Sequence, residues 1–354
     1  RFNHQTFLRF MINIISEKDN IRKALELLNQ APAQTLFVIN DNEQVVGTLT
    51  DGDVRRGLLN GASLDAHASK VCLRDFCYLD AEHSSPDNIR DIKKRFIKLV
   101  PYLSADKKII KVIDFRTTCS LLPVDAVIMA GGRGERLRPY TDTTPKPLLK
   151  LGGKPIVEYN VDRMKQYGID HITFSIRYLG EQIKNYFKDG STRDISISYI
   201  EEDCPLGTIG AVSKLKDYHN DTVLIMNSDL FTNIDFEEFY IHFIESDADM
   251  AVASIPYNVA IPYAVMNTED SLITSFEEKP TYTYYSNAGI YLVKSSILKA
   301  MPENKHCDAT DLMQQLINEG KRVTYFPIVG YWIDIGKPED YKKAQEFIKF
   351  IKKN

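Results

Sequence analysis

The chain has 354 residues, of which 44% are hydrophobic and 26% are charged, and its formal net charge is −4. This composition is typical of a globular protein with more than one domain, and it excludes a disordered or fibrous chain. A net acidic chain lacks the basic surface with which nucleic-acid scaffolds neutralise phosphates, so we expect no nucleic-acid partner.

The cysteines and the apolar segments indicate the compartment. The five cysteines form no CxxC pair and are too sparse for a disulfide scaffold, which predicts a cytoplasmic protein. The longest apolar stretches are short of the roughly 20 residues that span a bilayer, so we expect no membrane partner. The chain begins without methionine and shows no apolar signal core, which favours a trimmed start over export.

The first segment contains one structural unit twice. A helix is predicted from Ile21, with Ser16 and Asp19 as candidate caps, followed by strands at 35–40 and 45–50 and a further helix. A weaker copy follows, with a predicted helix at 85–96 and strands at 98–105 and 109–116. Two copies of one unit predict a paired, pseudo-symmetric module.

The turn GTLTDGDVR at 47–55 resembles that of the tandem CBS (Bateman) modules. In that family the Thr and Asp of a GhhTxxD turn bind an adenine nucleotide, which implies roles for Thr50 and Asp53. The second copy, VIDFR at 112–116, has no Thr-x-x-Asp, so we expect at most one nucleotide site. A packing and dimerisation module without a ligand is the open alternative.

The chain changes character after a linker that ends at Pro123. Apolar strands are predicted at 125–130, 171–177, 195–201, 222–228 and 250–255, separated by amphipathic stretches such as 156–167. This alternation predicts an α/β fold with a doubly wound, mostly parallel sheet, preceded by the smaller α+β module. We therefore expect a regulatory domain at 1–120 and a second domain at 121–354, with ligands beyond the carboxyl ends of the strands.

The sequence GGRGERLRP follows the first of these strands and indicates a phosphate site. Glycines let backbone N–H groups approach an anion closely, and the clustered Arg133, Arg136 and Arg138 are costly to hold together without one. The pattern is neither a P-loop nor a dinucleotide fingerprint. Further on, Lys146 lies between two prolines that fix the backbone carrying its charge.

Together, GGxGxRLxP, PKPL and GKP resemble the signature of the sugar-1-phosphate nucleotidyltransferases, over about residues 124–349. The resemblance implies a Rossmann-like fold and these site residues: Arg136, Lys146, Asp229 and Asp334 for catalysis, the two aspartates also as Mg²⁺ ligands; Gly131, Gly132, Gly134, Gly207 and Thr208 for the nucleotide; Glu278, Lys279, Asn287 and Gly289 for the sugar phosphate. Asp229 follows a buried strand, and Asp334 lies in the turn WIDIG. Two distant carboxylates are sufficient for Mg²⁺, which keeps waters and substrate phosphates as its other ligands.

The implied reaction transfers a nucleoside monophosphate from a nucleoside triphosphate to a sugar 1-phosphate and releases pyrophosphate. LGTIGA at 206–211 is closer to the guanylyl and uridylyl branches than to the thymidylyl branch, and the CBS fusion resembles the glucosamine-1-phosphate guanylyltransferases of bacterial legionaminic acid synthesis. We therefore expect GTP, with glucosamine 1-phosphate or mannose 1-phosphate, in a homo-oligomer. The alternatives are a uridylyl- or thymidylyltransferase of glucose 1-phosphate, and a non-catalytic nucleotide-sensing subunit on the same fold.

Overall fold

The computed structural model describes residues 13–31 and 33–351. Two compact units are present: one contains the described residues up to Leu122 together with Lys165–Gly168 and Ser191–Asp194, and the other contains the rest. None of the helices within the described ranges combines the length and the apolar character needed to cross a membrane.

The first unit contains the two predicted copies. Its elements are β1 (Ile14–Ser16), α1 (Ile21–Gln30), β2 (Thr35–Ile39), β3 (Val45–Thr50), α2 (Asp51–Leu59), a 3₁₀ turn (Ala68–Lys70), α3 (Pro86–Lys94), β4 (Leu99–Leu103) and β5 (Ile109–Asp114). Strand β2 pairs in parallel with β1 and antiparallel with β3, while β4 and β5 form a hairpin. The apolar face of α1 buries Ile21, Ala24 and Leu28 in a core that also holds Leu36 and Leu49.

The helix caps in this unit differ from the sequence prediction. Helix α1 is capped by Asn20, whose side chain accepts from the N–H of Lys23 at 2.9 Å, and not by Ser16 or Asp19. The Asp19 side chain instead accepts from the N–H of Ser16 at 3.1 Å, so it closes the preceding turn. An Asn one residue before the first helical residue satisfies an N-terminal donor directly, which decides the cap.

The second unit is built on a seven-stranded sheet. Its elements are β6 (Val124–Ala130), 3₁₀ turns at Glu135–Leu137 and Lys146–Leu148, β7 (Lys150–Leu151), β8 (Lys154–Pro155), α4 (Ile156–Gln166), β9 (His171–Ile176), α5 (Gly180–Phe187), a 3₁₀ turn at Ser191–Arg193, β10 (Ser196–Glu201), a 3₁₀ turn at Gly210–Lys214, β11 (Thr222–Asn227), β12 (Leu230–Thr232), α6 (Phe236–Glu245), β13 (Met250–Ala260), β14 (Val265–Glu269), β15 (Leu272–Glu277), β16 (Thr281–Lys294), α7 (Ser295–Lys299), α8 (Ala309–Asn318), β17 (Val323–Pro327), β18 (Trp332–Asp334) and α9 (Pro338–Ile351).

The strand order in the main sheet is β10-β9-β6-β11-β16-β13-β17. All neighbours are parallel except at β16, which runs antiparallel to β11 and β13, so the predicted mostly parallel α/β sheet is confirmed. The central strands β6 and β11 are adjacent, with Met129 opposite Asn227 near their carboxyl ends. The glycine-rich loop and the segment that follows β11 therefore leave the sheet side by side.

Strand β13 is longer than the sequence prediction. The apolar run ends at Ile255, but the ladder continues to Ala260, paired with residues 281–285 of β16. Main-chain hydrogen bonds maintain this extension although its side chains are exposed, and such a strand has no apolar signature. Together with the hairpin of β14 and β15, it forms an arm, residues 256–286, that leaves the core of the sheet.

Candidate active site

A cavity of about 600 Å³ opens where β6 and β11 end. It is lined by eight of the residues that the sequence predicts for the site: Gly131, Gly132, Gly134, Arg136, Lys146, Gly207, Thr208 and Asp229. These residues come from three separate regions of the chain, which the parallel sheet brings to one edge. Ligand sites in doubly wound sheets occupy this position.

Gly134 sets the direction of the arginine-bearing turn. Its φ is +63°, in the left-handed region that favours glycine. A Cβ there would lie 3.0 Å from Cγ2 of Thr141, whose hydroxyl donates to the carbonyl of Gly134 at 2.9 Å. The 3₁₀ turn that follows buries Leu137 completely and leaves Arg136 in the cavity wall. The buried leucine anchors the turn, so the exposed guanidinium group has a fixed base.

Lys146 and Asp229 form an ion pair in the cavity. Pro145, with a φ of −64°, precedes the 3₁₀ turn that starts at Lys146. The ammonium group of Lys146 donates to Oδ2 of Asp229, and the two side chains are only 12% and 19% exposed. A largely buried pair holds both side chains in one geometry.

Asp229 and Asp334 are brought together by a small antiparallel ladder. Strand β12, which starts directly after Asp229, pairs with β18 so that Leu230 lies opposite Asp334. The N–H of Ile335 donates to the carbonyl of Asp229 at 3.1 Å. Two aspartates far apart in the sequence therefore lie at one end of the same ladder.

The charges around Asp334 indicate which kind of ligand the two aspartates favour. Desolvation by the surrounding protein and the nearby Asp229 carboxylate raise the pKa of Asp334, while Lys146 and Arg136 lower it. The residue is nevertheless exposed in part, so solvent and a ligand can both reach it. Two hard oxygen donors that repel each other are a suitable donor set for a divalent cation such as Mg²⁺.

The loop at 205–210 is attached to the start of α8. Gly207 has a φ of +80°, and a Cβ there would lie 2.6 Å from the carbonyl oxygen of Cys307. The N–H of Thr208 donates to Oδ1 of Asp308 at 2.9 Å, and the Thr208 hydroxyl accepts from the N–H of Ala309 at 2.7 Å. The loop is therefore fixed in position before any ligand binds.

The four residues predicted for the sugar phosphate are all described by the structure, and they are not among the residues that line this cavity. Glu278 and Lys279 are exposed on the arm. The side-chain amide of Asn287 donates to the hydroxyl of Tyr291 at 2.9 Å. Gly289, at a φ of +72°, packs against Asn227, whose Nδ2 would lie 2.5 Å from an added Cβ. Of the contacts named in this paragraph, that between Gly289 and Asn227 reaches the cavity wall, because Asn227 lines the cavity.

The nucleotidyl transferase family model matches residues 125–350. The chain belongs to this family. A second model, that of the CBS domain, matches residues 12–60, which covers the first of the two predicted copies.

Individual members of the nucleotidyl transferase family are similar over the same region. The chain is 31% identical to the D-glycero-alpha-D-manno-heptose 1-phosphate guanylyltransferase of Aneurinibacillus thermoaerophilus, over 63% of this chain and 97% of the relative. It is 32% identical to the bifunctional protein GlmU of Methanocaldococcus jannaschii, over 64% of this chain but only 54% of that relative. The crystal structure of HddC from Yersinia pseudotuberculosis, complexed with GMP-PN, superposes with a TM-score of 0.50 at 26% identity, covering 63% of this chain and 99% of that one.

Sequence reasoning missed several polar residues that also line this cavity, among them Arg177, Glu202, Asn227 and His306. Glu202 directly follows β10, and Asn227 ends β11. The rule that ligands lie beyond the carboxyl ends of parallel strands could have found these two, whereas His306 lies in a loop without such a signal.

The predicted adenine-nucleotide residues lie in a separate cavity of about 680 Å³ within the first unit. The hydroxyl of Thr50 donates to Oδ2 of Asp53 at 2.6 Å, and together they form a capping box at the start of α2. Oδ1 of Asp53 accepts from Arg56 at 2.5 Å. The same cavity is lined by Arg95 and Lys98, which supply positive charge.

Proposed function

We propose that this chain transfers a nucleoside monophosphate, from GTP in preference to other triphosphates, to a sugar 1-phosphate, with release of pyrophosphate. The observation that supports this most is the convergence of Arg136, Lys146 and Asp229 on one cavity, with Asp334 beside it. Two cations and two carboxylates at the carboxyl edge of the sheet suit a polyanion and its divalent cation.

The reaction needs charge neutralisation more than proton transfer. An oxygen of the sugar 1-phosphate is already ionised at neutral pH, and it attacks the α-phosphorus. The bond from that phosphorus to its bridging oxygen breaks, and pyrophosphate leaves with the electron pair. Negative charge then increases on the α-phosphate and the leaving group, so positioned cations provide most of the catalysis.

Each residue of the cavity has a distinct part in this proposal. Arg136 and the amides of Gly131–Gly134 hold the triphosphate, and Lys146 neutralises the α-phosphate. Asp229 and Asp334 hold Mg²⁺. Bound there, the ion would supply positive charge that offsets the charge of the phosphates.

For the sugar 1-phosphate, we propose that Glu278 binds the sugar hydroxyls and that Lys279 binds the phosphate. Asn287 and Gly289 would form the wall of the sugar pocket. All four lie on or beside the arm. The arm consists of two two-stranded ladders with mostly exposed side chains, and a segment of this kind opens at low free-energy cost. The role assigned to Lys279 requires that the arm move toward the cavity.

For the sugar, glucosamine 1-phosphate and mannose 1-phosphate are the preferred substrates, and the product is a nucleotide sugar for bacterial cell-surface glycan or nonulosonic acid synthesis. A relative named as a heptose 1-phosphate guanylyltransferase supports guanylyl transfer. The alternatives remain uridylyl or thymidylyl transfer to glucose 1-phosphate. A non-catalytic subunit on this fold would not need the buried pair of Lys146 and Asp229 in the same cavity as the charged Arg136.

We also assign residues 1–120 to nucleotide sensing and 121–354 to catalysis. The cavity at Thr50 and Asp53 suits an adenine nucleotide because Asp53 accepts a ribose hydroxyl while Arg95 and Lys98 face phosphates. Calorimetry on the full chain should detect AMP or ATP binding that Asp53→Ala removes. If neither nucleotide binds, the CBS-like part has a packing role.

We further propose that the protein forms a homo-oligomer in the cytoplasm. The arm exposes large apolar side chains, among them Tyr263, Leu272 and Phe276, and exposed apolar groups concentrated on one segment are typical of contact surfaces. Light scattering of the full chain measures the mass directly. A monomer at micromolar concentration would contradict the homo-oligomer.

The experiment that tests the activity is a pyrophosphate-release panel. GTP, UTP, dTTP and ATP are each combined with glucosamine, mannose and glucose 1-phosphates in the presence of Mg²⁺. We expect release only when both substrates and Mg²⁺ are present, and fastest release with GTP. Absence of release in every combination would contradict nucleotidyl transfer and favour the non-catalytic alternative.

A further inference from the structure

Three side chains with metal-ligating atoms lie together at the start of α8, and none of them belongs to the pair proposed for Mg²⁺. His306, Asp308 and Asp311 each offer one ligand atom, and these three atoms lie within 4.8 Å of one another. Ligands of one Zn²⁺ lie about 2.0–2.2 Å from the ion, and therefore roughly 3–4 Å from each other. Because His306 and Asp311 are exposed, small side-chain rotations bring all three groups onto one ion.

The cluster has lone pairs to spare. The N–H of Asp308 donates to Oδ2 of Asp311 at 3.0 Å, as part of a capping box, and the N–H of Thr208 donates to Oδ1 of Asp308 at 2.9 Å. A carboxylate has about four acceptor positions, so both aspartates can accept further contacts. Within residues 13–31 and 33–351, the imidazole of His306 has no hydrogen-bond partner, and no lysine or arginine pairs with either aspartate.

The charge of the cluster favours a cation. One carboxylate is sufficient to cap a helix, and the amino end of a helix carries only about half of an elementary positive charge. Asp308 and Asp311 together bring two negative charges to the start of α8. The helix dipole therefore leaves net negative charge at this point, beside the neutral nitrogen ligand that His306 offers.

The cluster also opens onto a second cavity in the same unit, of about 580 Å³. His306 and Asp311 line it together with apolar side chains of α7 and α8. His306 additionally lines the cavity at the ends of β6 and β11. An ion with three protein ligands keeps further coordination positions for water, and the second cavity provides space for them.

We propose that His306, Asp308 and Asp311 bind a divalent transition-metal ion of the Zn²⁺ class. Imidazole nitrogen suits Zn²⁺ and similar ions, whereas Mg²⁺ prefers oxygen ligands throughout. The histidine therefore gives this site a different ion preference from the pair Asp229 and Asp334. The inference does not depend on the proposed reaction.

The ion acts as a clamp on the 205–210 loop. Asp308 holds the N–H of Thr208, and the carbonyl of Cys307 accepts from the N–H groups of Ile209 and Gly210, both at 3.1 Å. An ion that fixes Asp308 therefore fixes the segment to which this loop is bonded. Metal binding should slow the hydrogen exchange of these three amides and raise the Tm of the full chain.

The test is a calorimetric titration of the full chain with Zn²⁺. Asp229→Asn is titrated beside the wild type, since the aspartate pair of the first cavity also offers oxygen ligands to this ion. We expect Asp229→Asn to retain one Zn²⁺ per chain. Hydrogen exchange followed by mass spectrometry, with and without Zn²⁺, measures the clamp on the 205–210 loop without any turnover.

Two variants remove ligands, and one serves as the control. His306→Ala removes an exposed imidazole, and Asp311→Asn keeps an oxygen for the capping box. Each should weaken Zn²⁺ binding by at least about 10-fold, because even residues behind a metal ligand contribute that much to affinity. The control is His83→Ala, since His83 is also exposed but contacts Asp80 at 2.8 Å, in the first unit. Its Zn²⁺ affinity should equal that of the wild type.

Three outcomes would overturn the inference. The first is a wild-type protein that binds no Zn²⁺, or binds it at a site that Asp229→Asn removes. The second is unchanged Zn²⁺ affinity in His306→Ala. The third is an equal loss in His306→Ala and His83→Ala, which would indicate non-specific binding to surface imidazoles. Zn²⁺ binding that leaves hydrogen exchange at residues 208–210 unchanged would contradict the clamp.

Discussion

The ammonium group of Lys146 donates directly to the carboxylate of Asp229, inside the cavity where a nucleotide and its cation would bind. The pair joins a proline-bracketed turn to the carboxyl end of a central strand. In the proposed reaction both partners exchange this contact for the ligand, Lys146 for a phosphate and Asp229 for Mg²⁺. The ion pair thus keeps two buried charges compensated until the substrates arrive.

This exchange makes a prediction for Lys146→Met. Without the ammonium group, Asp229 is free for the cation, so Mg²⁺ should raise the Tm of this variant more than it raises that of the wild-type protein. Turnover should nevertheless fall by about two orders of magnitude, because the α-phosphate loses its neutralising charge. Differential scanning fluorimetry across a Mg²⁺ series provides the first measurement, with Asp229→Asn as the variant that shows no shift. A smaller Mg²⁺ shift in Lys146→Met than in the wild type would argue against metal binding by Asp229.

Arg136→Ala tests the triphosphate contact. We expect kcat to fall by about two orders of magnitude with an unchanged Tm, because the guanidinium group is exposed and Leu137 continues to anchor the turn. Arg138→Ala is the matched control: Arg138 lies two residues away and pairs with Asp142 at 3.3 Å. Pyrophosphate release measures both. Equal losses in the two variants would mean that the general positive charge of the loop matters, and not the position of Arg136.

Gly207 provides a test of the fixed geometry of the 205–210 loop. Gly207→Ala adds a Cβ at 2.6 Å from the carbonyl of Cys307, in a backbone at a φ of +80°. Gly320→Ala is the control, since its φ is +69° but no described atom lies within 4 Å of the added group. The control should lose about 1 kcal/mol from backbone strain alone, and Gly207→Ala about 1–3 kcal/mol more. Urea unfolding that gives the same free-energy loss for both would contradict this close contact.

The hydrogen-bonded carboxylate of Asp249 should make the free energy of unfolding depend on pH. Although burial alone would raise it, the pKa of Asp249 is lowered by hydrogen bonds from Lys294 at 3.0 Å and from the N–H of Arg322. A carboxyl group with a lowered folded-state pKa stabilises the fold above its unfolded pKa, and this contribution is lost as the pH falls through the folded-state pKa. Asp249→Asn should therefore lower the free energy of unfolding by about 1–2 kcal/mol at pH 7, and the difference from wild type should diminish as the pH falls below the ordinary aspartate value of 3.8. A difference that stays constant with pH would show that the charge of Asp249 is not responsible.

Much of the fold could be predicted because its core strands are continuous apolar runs. Strand β3 has the predicted bounds, and β6, β9 and β11 differ by one residue at an end. The arm could not be predicted, since its strands are exposed on both faces and are held by main-chain hydrogen bonds. Caps also escaped prediction where several polar residues compete, as at Asn20.

The candidate site was predictable where a motif lies beside a strand end, as for Gly131 and Asp229. Glu202 also directly follows a strand, but its burial was not predictable, because a glutamate in that position is usually a solvated turn residue. Only the tertiary structure shows that Ser175 and Gly131 surround this one. The position of Lys279 relative to the cavity depends on where the arm lies. Local sequence patterns do not determine the position of the arm.

The most direct test of the central claim is the identity of the product. The full chain is incubated with GTP, glucosamine 1-phosphate or mannose 1-phosphate, and Mg²⁺, and the mixture is followed by phosphorus NMR and mass spectrometry. We predict equal amounts of pyrophosphate and a GDP-linked sugar from the wild-type protein, and neither from Asp229→Asn. Hydrolysis of GTP without a sugar nucleotide, or an equal yield from Asp229→Asn, would contradict the proposed site and its chemistry.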